Sequence, residues 1–178
     1  MKKQFIAKLL VLAMVLSMVP VAILAASATA AGSNGGYYAV YEDTTVRVNE
    51  PVSSDGAIEA KVVNGKATVA LNAKAVESLA DLAKDGSITL EVKAEGATKV
   101  DVSFPAKALT EVAKETGADL TIKSDVATIT IPNTVLTNEF SNSGSVRVSV
   151  QATGSSVGFT IQAGGKALQN IKGLKVEF

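Results

Sequence analysis

A strand–helix–strand unit recurs along this chain, and its spacing limits what the chain can fold into. Residues 99–131 (KVDVSFPAKALTEVAKETGADLTIKSDVATITI) hold the clearest copy: an alternating apolar run, Pro105 at a helix start, Gly117 at its stop, and two more alternating runs. Proline suits the first helical turn, where its missing N–H costs nothing. Leu109, Val112 and Ala113 form an apolar stripe at helical spacing, leaving Lys107, Glu111, Lys114 and Glu115 for solvent. Another copy lies 33 residues upstream, where Leu71-Asn72-Ala73-Lys74-Ala75-Val76 matches Phe104-Pro105-Ala106-Lys107-Ala108-Leu109. There Asn72 caps a helix expected to reach Lys84, with Val76, Leu79, Ala80 and Ala83 as its stripe and Gly86 as its stop before the strand 87–92. A weaker copy follows 27 residues downstream, with Ile131-Pro132 matching Phe104-Pro105 and Leu136 matching Leu109. Its helix can only be short, because residues 138–144 (NEFSNSG) are loop material ahead of the strand 146–150. Residues 174–178 (LKVEF) match residues 100–104 (VDVSF), so Phe178 stands where a further helix should open, and a C-terminal truncation is expected.

Between the copies the strongest local signal is Asn64-Gly65, set between AIEAKVV and KATVAL. Both residues tolerate positive φ, which a type I′ hairpin turn requires. A second hairpin is expected to pair residues 119–123 with 127–131 across Ser124-Asp125. The sequence therefore predicts an α+β fold of mostly antiparallel sheet, with two short helices packed on a face and built from quasi-repeated strand–helix–strand units. An elongated stack of such units is the alternative, since a period near 30 residues also marks solenoids. The expected boundaries are a leader peptide at 1–30, a flexible leader with an opening strand at 31–56, and the repeat-like domain at 57–178.

Composition excludes several chemistries. The 178 residues contain no Cys and no His. That removes disulfides, thiolate nucleophiles, the common zinc sites and the Ser-His-Asp triad. Aromatics are 4% and Trp is absent, so the core must come from Val, Ile, Leu and Ala. No cofactor is expected. The N-terminal stretch has a basic start, an apolar run over residues 9–24 and a small-residue exit, the build of a secretory signal peptide. Ala28-Thr29-Ala30 supplies the cleavage pattern, with cleavage after Ala30 and Ala26-Ser27-Ala28 as its competitor. The apolar run is 16 residues and broken by Pro20, short of the roughly 20 needed to span a bilayer. No stable membrane span is expected after its removal. Loss of Lys2, Lys3 and Lys8 leaves 14 basic against 17 acidic residues, a net −3 that gives no electrostatic reason to bind nucleic acid.

Three segments carry a resemblance: LNAKAVESLADLAKDGSITLEV, FPAKALTEVAKETGADLTIKSDVATITIP and VGFTIQAGGKALQNIKGLKVEF. Together they resemble a module of bacterial surface proteins that carry S-layer homology domains, over residues 66–178. In that family a strand ending in Pro-Ala leads into a short Leu/Ala helix and an LTI-x-x-D-x-A-T hairpin, here residues 120–132, and later a GGKA turn, here Gly164-Gly165-Lys166-Ala167. The resemblance implies an exported, cell-surface protein of Gram-positive type. The anchoring repeats, which in the family bind secondary cell-wall polymers, have no counterpart in this sequence. The expectation is a secreted or cell-surface, non-catalytic structural or interaction module, with cell-wall polymer or other surface proteins as partners. A carbohydrate- or wall-polymer-binding module is the alternative, as is an accessory domain of a larger exported enzyme.

Side chains able to carry chemistry are few. Tyr37, Tyr38 and Tyr41, all the tyrosines of the chain, are weak candidates for a sugar-binding surface, and an opening strand (YYAVY, then TTVRV) is the simpler reading. Asp81, Asp85, Glu91, Glu95, Asp101, Glu111, Glu115, Asp119 and Asp125 are spread over polar faces and turns, without the facing pair that glycoside hydrolysis needs. No calcium loop matches, and Glu42-Asp43 and residues 53–56 read as turns. Gly164-Gly165-Lys166 is followed by Ala167 where a phosphate-binding loop needs Ser or Thr, so a hairpin turn is expected. The expected catalytic, cofactor and metal residues are therefore none.

Overall fold

The computed structural model describes residues 44–178. In chain order the elements are β1 (Val46–Val48), β2 (Ala57–Glu59), β3 (Val62–Val63), β4 (Lys66–Leu71), α1 (Ala73–Glu77) running into a 3₁₀ turn (Ser78–Leu82), β5 (Ser87–Lys93), β6 (Lys99–Pro105), α2 (Ala106–Thr116), β7 (Asp119–Ser124), β8 (Thr128–Ile131), α3 (Asn133–Asn138), β9 (Ser145–Thr153), β10 (Ser156–Ala163), β11 (Lys166–Ala167) and β12 (Lys175–Glu177). The first sheet has the order β1–β4–β6–β9–β10–β11, with β3 also on β4. The second has the order β12–β8–β7–β5–β2.

These two orders describe one stack. Each layer contributes a strand to each sheet: β1 with β2, β4 with β5, β6 with β7, β9 with β8, and β10 with β12. In the second, third and fourth layers a helix makes the crossing between sheets. The chain then returns through a short turn, so the second and third layers run in the same sense. That places repeat-equivalent residues side by side in parallel: Lys66 beside Lys99, Ala67 beside Val100, Val69 beside Val102. Likewise Ile88 pairs with Leu120, Thr89 with Thr121 and Leu90 with Ile122. The 33-residue offset in the sequence is thus the length of one turn of the coil.

The expectation of a mostly antiparallel α+β fold is corrected on this point. Both sheets are mixed, with parallel pairings β1–β4, β4–β6, β2–β5 and β5–β7. The structure is mostly β, with three short helices rather than two. Nor do the helices cover a sheet face. They bridge the two sheets at the end where β4 and β6 finish, and α2 packs between α1 and α3. The inner faces of the two sheets meet each other instead, burying Val69, Leu71, Ile88, Leu90, Val102, Phe104, Leu120, Ile122, Ile129, Ile131, Val146, Val148 and Ile161 in one cluster.

Two further details depart from the sequence reading. The Asn64-Gly65 turn forms with both residues at positive φ (52° and 73°), but its hairpin is only Val62–Ala67 and Val63–Lys66 long. Ala57–Glu59, expected to extend it, pairs instead in parallel with Glu91–Lys93 of the other sheet. Residues 174–178, matched in sequence to residues 100–104, place β12 antiparallel to β8 in the second sheet, running away from the helices. The match is one of composition and not of position in the coil. Direction also changes at the fourth layer: β7 folds back on β8 as expected, though the turn falls on residues 125–126, one residue later than the expected Ser124-Asp125, and α3 then carries the chain from the second sheet to the first.

Helix ends follow their sequence signals. Asn72 Oδ1 accepts the Ala75 N–H at 2.9 Å, while its Nδ2 donates to Asn49 O. Gly117 closes α2 in the left-handed conformation, its N–H bonded to Ala113 O. Asn133 Nδ2 donates to Ala113 O (2.6 Å) and Ala118 O (3.2 Å), tying the end of α2 to the start of α3. The first helix is shorter than expected, and Ala83 is exposed where a stripe residue was anticipated. Asn72→Ala should remove a cap and destabilise by about 1 kcal/mol, read as a lower urea midpoint. Asn72→Ser, which keeps a capping oxygen and puts no carboxylate against Asn49 O, should restore most of it, and equal losses in both variants would show that the cap is not the cause.

Candidate functional site

Alternation along β6 points Val100, Val102 and Phe104 into the core and leaves Asp101 and Ser103 on the outer face of the first sheet. Four strands set the surroundings of Asp101. Thr68 of β4 and Ser149 of β9 flank it in register, and Thr160 of β10 continues the row. The next row holds Lys66, Lys99, Gln151 and Gly158, and the row beyond Asp101 holds Ser103, Arg147 and Gln162. All of these except Thr68 and Ser103 line an open trough of about 620 Å³, to which Thr153, Ser156, Val157 and Phe159 also contribute.

The two lysines are adjacent because the parallel coil stacks equivalent positions of the repeat. Like charges side by side on a sheet repel. Asp101, standing where the upstream copy has Thr68, offsets them: Lys66 Nζ lies 3.0 Å from Oδ2 and Lys99 Nζ 4.0 Å from Oδ1. The Asp101 side chain is nevertheless 6% exposed, although it lies on an outer face. Its Oδ1 receives no hydrogen bond and is the buried side-chain polar atom of which this is true among the described residues. A buried acceptor without a donor carries a desolvation cost of about 1–3 kcal/mol, more when charged.

The opposite face of the molecule is arranged differently. There Glu91 pairs with Lys123 (3.1 Å) and Glu59 with Lys93 (3.3 Å), while Ser87, Thr121 and Thr130 form a chain of hydroxyl contacts. The Glu59 contact holds the Lys93 ammonium above its ordinary pKa. At the neighbouring turn the Ser53 hydroxyl and then the Ala57 N–H hold the Asp55 carboxyl below its ordinary value. Acidic and basic groups on this face answer one another.

Other sequence candidates fall into structural roles. Asp119 accepts the Asn133 N–H at 2.8 Å and Asp125 the Ala94 N–H at 2.9 Å. Glu111 faces Lys107 one helical turn away, and Asp81, Asp85, Glu95 and Glu115 are exposed. Gly164-Gly165 is the two-residue turn between β10 and β11, with Lys166 exposed beside it. Within the loop 138–144 the sequence reading missed Phe140, which is fully buried and anchors the segment to the core. A single Phe in a polar run was its only signal. Tyr37, Tyr38, Tyr41 and the cleavage position Ala30 lie outside the described residues. Asp101, expected among the carboxylates spread over polar faces and turns, is buried instead. No segment of the described residues is a helix long and apolar enough to cross a membrane. Comparison with protein-family models, with curated proteins and with solved structures gave no match to this chain.

Proposed function

We propose that this chain is a non-catalytic structural and interaction module of an exported bacterial surface protein, associated with the cell wall or an S-layer. The observation that supports it most is the use made of the carboxylates. Glu59, Glu91, Asp119 and Asp125 are engaged in ion pairs or backbone contacts that hold strands, turns and a helix in place. The signal-like N-terminus and the resemblance to modules of S-layer-homology-domain proteins supply the location. A binding role, for carbohydrate or wall polymer, is the second reading, and the Asp101 trough is the feature that favours it.

Expression of the full chain in a Gram-positive host tests the location. The expected product is recovered from the medium or the wall fraction and begins at Ala31 by mass. A membrane-bound product retaining Met1 would overturn the reading.

A further inference from the structure

We infer that the outer face of the first sheet is a binding site for a hydroxylated anion, of the kind presented by a glycan unit carrying carboxylate or phosphate. The inference rests on the geometry of that face alone and holds wherever the protein is located. Asp101 lines the trough, and its Oδ1 is buried beside the two lysines and lacks a donor. A ligand O–H or N–H that enters as those lysine side chains swing aside satisfies it. A metal ion or a ligand ammonium would have to sit between Lys66 and Lys99, which are already drawn to the same carboxylate. A neutral hydroxyl meets no such opposition.

The rest of the trough defines the other half of the ligand. Lys66, Lys99 and Arg147 outnumber the one carboxylate, and the two lysine side chains are 48% and 36% exposed, so their ammonium groups retain capacity for a further anionic partner. Ser149, Gln151, Thr160 and Gln162 add hydroxyl and amide groups that suit a polyol. Gly158, at the β10 end of its row, leaves a notch: a Cβ there would meet only Gln151 O, at 4.0 Å. A polyol with a negative group within one residue's reach satisfies the donor-seeking oxygen and the cations together. Neither a neutral sugar nor a bare anion does both.

Amide chemical shifts of the full chain, titrated with four probes, test this. Trigalacturonate supplies carboxylate with hydroxyls, a glycerol-phosphate trimer supplies phosphate with hydroxyls, maltotriose supplies hydroxyls alone, and inorganic phosphate the anion alone. One or both anionic polyols should shift Ser149, Gln151 and Thr160, with affinity about tenfold or more above maltotriose and inorganic phosphate. The probe that responds decides between carboxylate and phosphate. Gly158→Leu, which fills the notch without changing any charge, and Lys99→Gln should each weaken binding by about tenfold or more while leaving the spectrum of the core intact. Silence of this face toward both anionic polyols would overturn the inference. So would equal binding of inorganic phosphate, or a Gly158→Leu variant that binds like the parent. None of these results bears on where the protein is exported, which the mass of the secreted product decides separately.

Discussion

Phe104→Ala should lower the stability of the folded domain by about 3–5 kcal/mol, the largest effect of any single truncation considered for this chain. Phe104 is 1% exposed and belongs to the set of largest fully buried side chains. It closes β6, the strand that lies between β4 and β9 in the first sheet, immediately before Pro105 turns the chain into α2. Both α1 and α2 contact β6, so the ring fills the corner where the two sheets and the helix row meet. With aromatics at only 4% of the chain, the neighbours are mostly Val, Ile and Leu, too short to reach into the space it would leave. The cost is therefore that of lost transfer energy plus an uncollapsed cavity. Set against total stabilities of about 5–15 kcal/mol for ordinary domains, a large share of the protein would unfold near ambient temperature. Urea unfolding is the measurement: the midpoint should drop sharply with the slope unchanged. Phe104→Leu, which keeps most of the volume, should cost about 1.5 kcal/mol or less. A Phe104→Ala loss below about 1 kcal/mol would contradict the placement of this side chain in a packed core.

Gly56→Ala should be the most damaging change outside the apolar core, at about 2–5 kcal/mol from a left-handed backbone position combined with overpacking. Gly56 sits at φ +71°, buried in the turn that leads into β2. An added Cβ would lie 2.4 Å from Thr89 O and 3.3 Å from a Leu82 methyl. Thr89 O is backbone of β5, so the clash cannot be relieved by turning a side chain. Gly56 O also accepts the Glu91 N–H at 2.8 Å, so the first layer is joined to the second at this point. Pushing the two apart would free β2 from its parallel pairing. Gly117→Ala is the comparison. It carries a similar φ of +65° but has nothing within 4 Å of its added Cβ, so only the conformational penalty of about 1–2 kcal/mol should be seen. Hydrogen exchange should in addition show Glu91, the amide donor to Gly56, less protected in the Gly56 variant alone. Equal losses at the two glycines would rule out the close approach to Thr89 O.

Much of the local structure was legible because it depends on neighbours along the chain. Pro105, the stripe of Leu109, Val112 and Ala113, and Gly117 give a helix whose bounds are Ala106–Thr116. Asn64-Gly65 turns where its residue types say it should, and the second hairpin turns one residue after the expected Ser124-Asp125. Even the coil period was present, as the match of Leu71–Val76 with Phe104–Leu109. What this match did not carry is the partner of each strand. Ala57–Glu59 reads as the first arm of the Asn64-Gly65 hairpin, and three residues of β-type sequence hold no record of which sheet they will join. Burial against β5 decided that, through Ile58.

The Asp101 trough shows the same division. Alternation in VDVSF puts Asp101 on the side of its strand away from Val100, Val102 and Phe104, where the sequence reading saw only a dispersed polar-face carboxylate. Its burial came from residues far along the chain: Lys66 lies 35 positions earlier and Ser149 48 positions later, brought to its sides by the parallel pairing of β4 and the antiparallel pairing of β9. The sequence alone thus determined the strands and the second helix with its stop, the Asn72 cap, the period and most of the inward-facing side chains, though not the exposure of Ala83 or the burial of Phe140. Those it determined follow from dihedral preference and from the 2- and 3.6-residue periods. Only the tertiary structure decided that equivalent strands lie parallel, that the helices bridge the sheets at one end, and that one outward carboxylate is shut away from solvent between two lysines. Backbone hydrogen bonds between strands are the same for every sequence, so the choice of partner is left to side-chain packing across the whole fold.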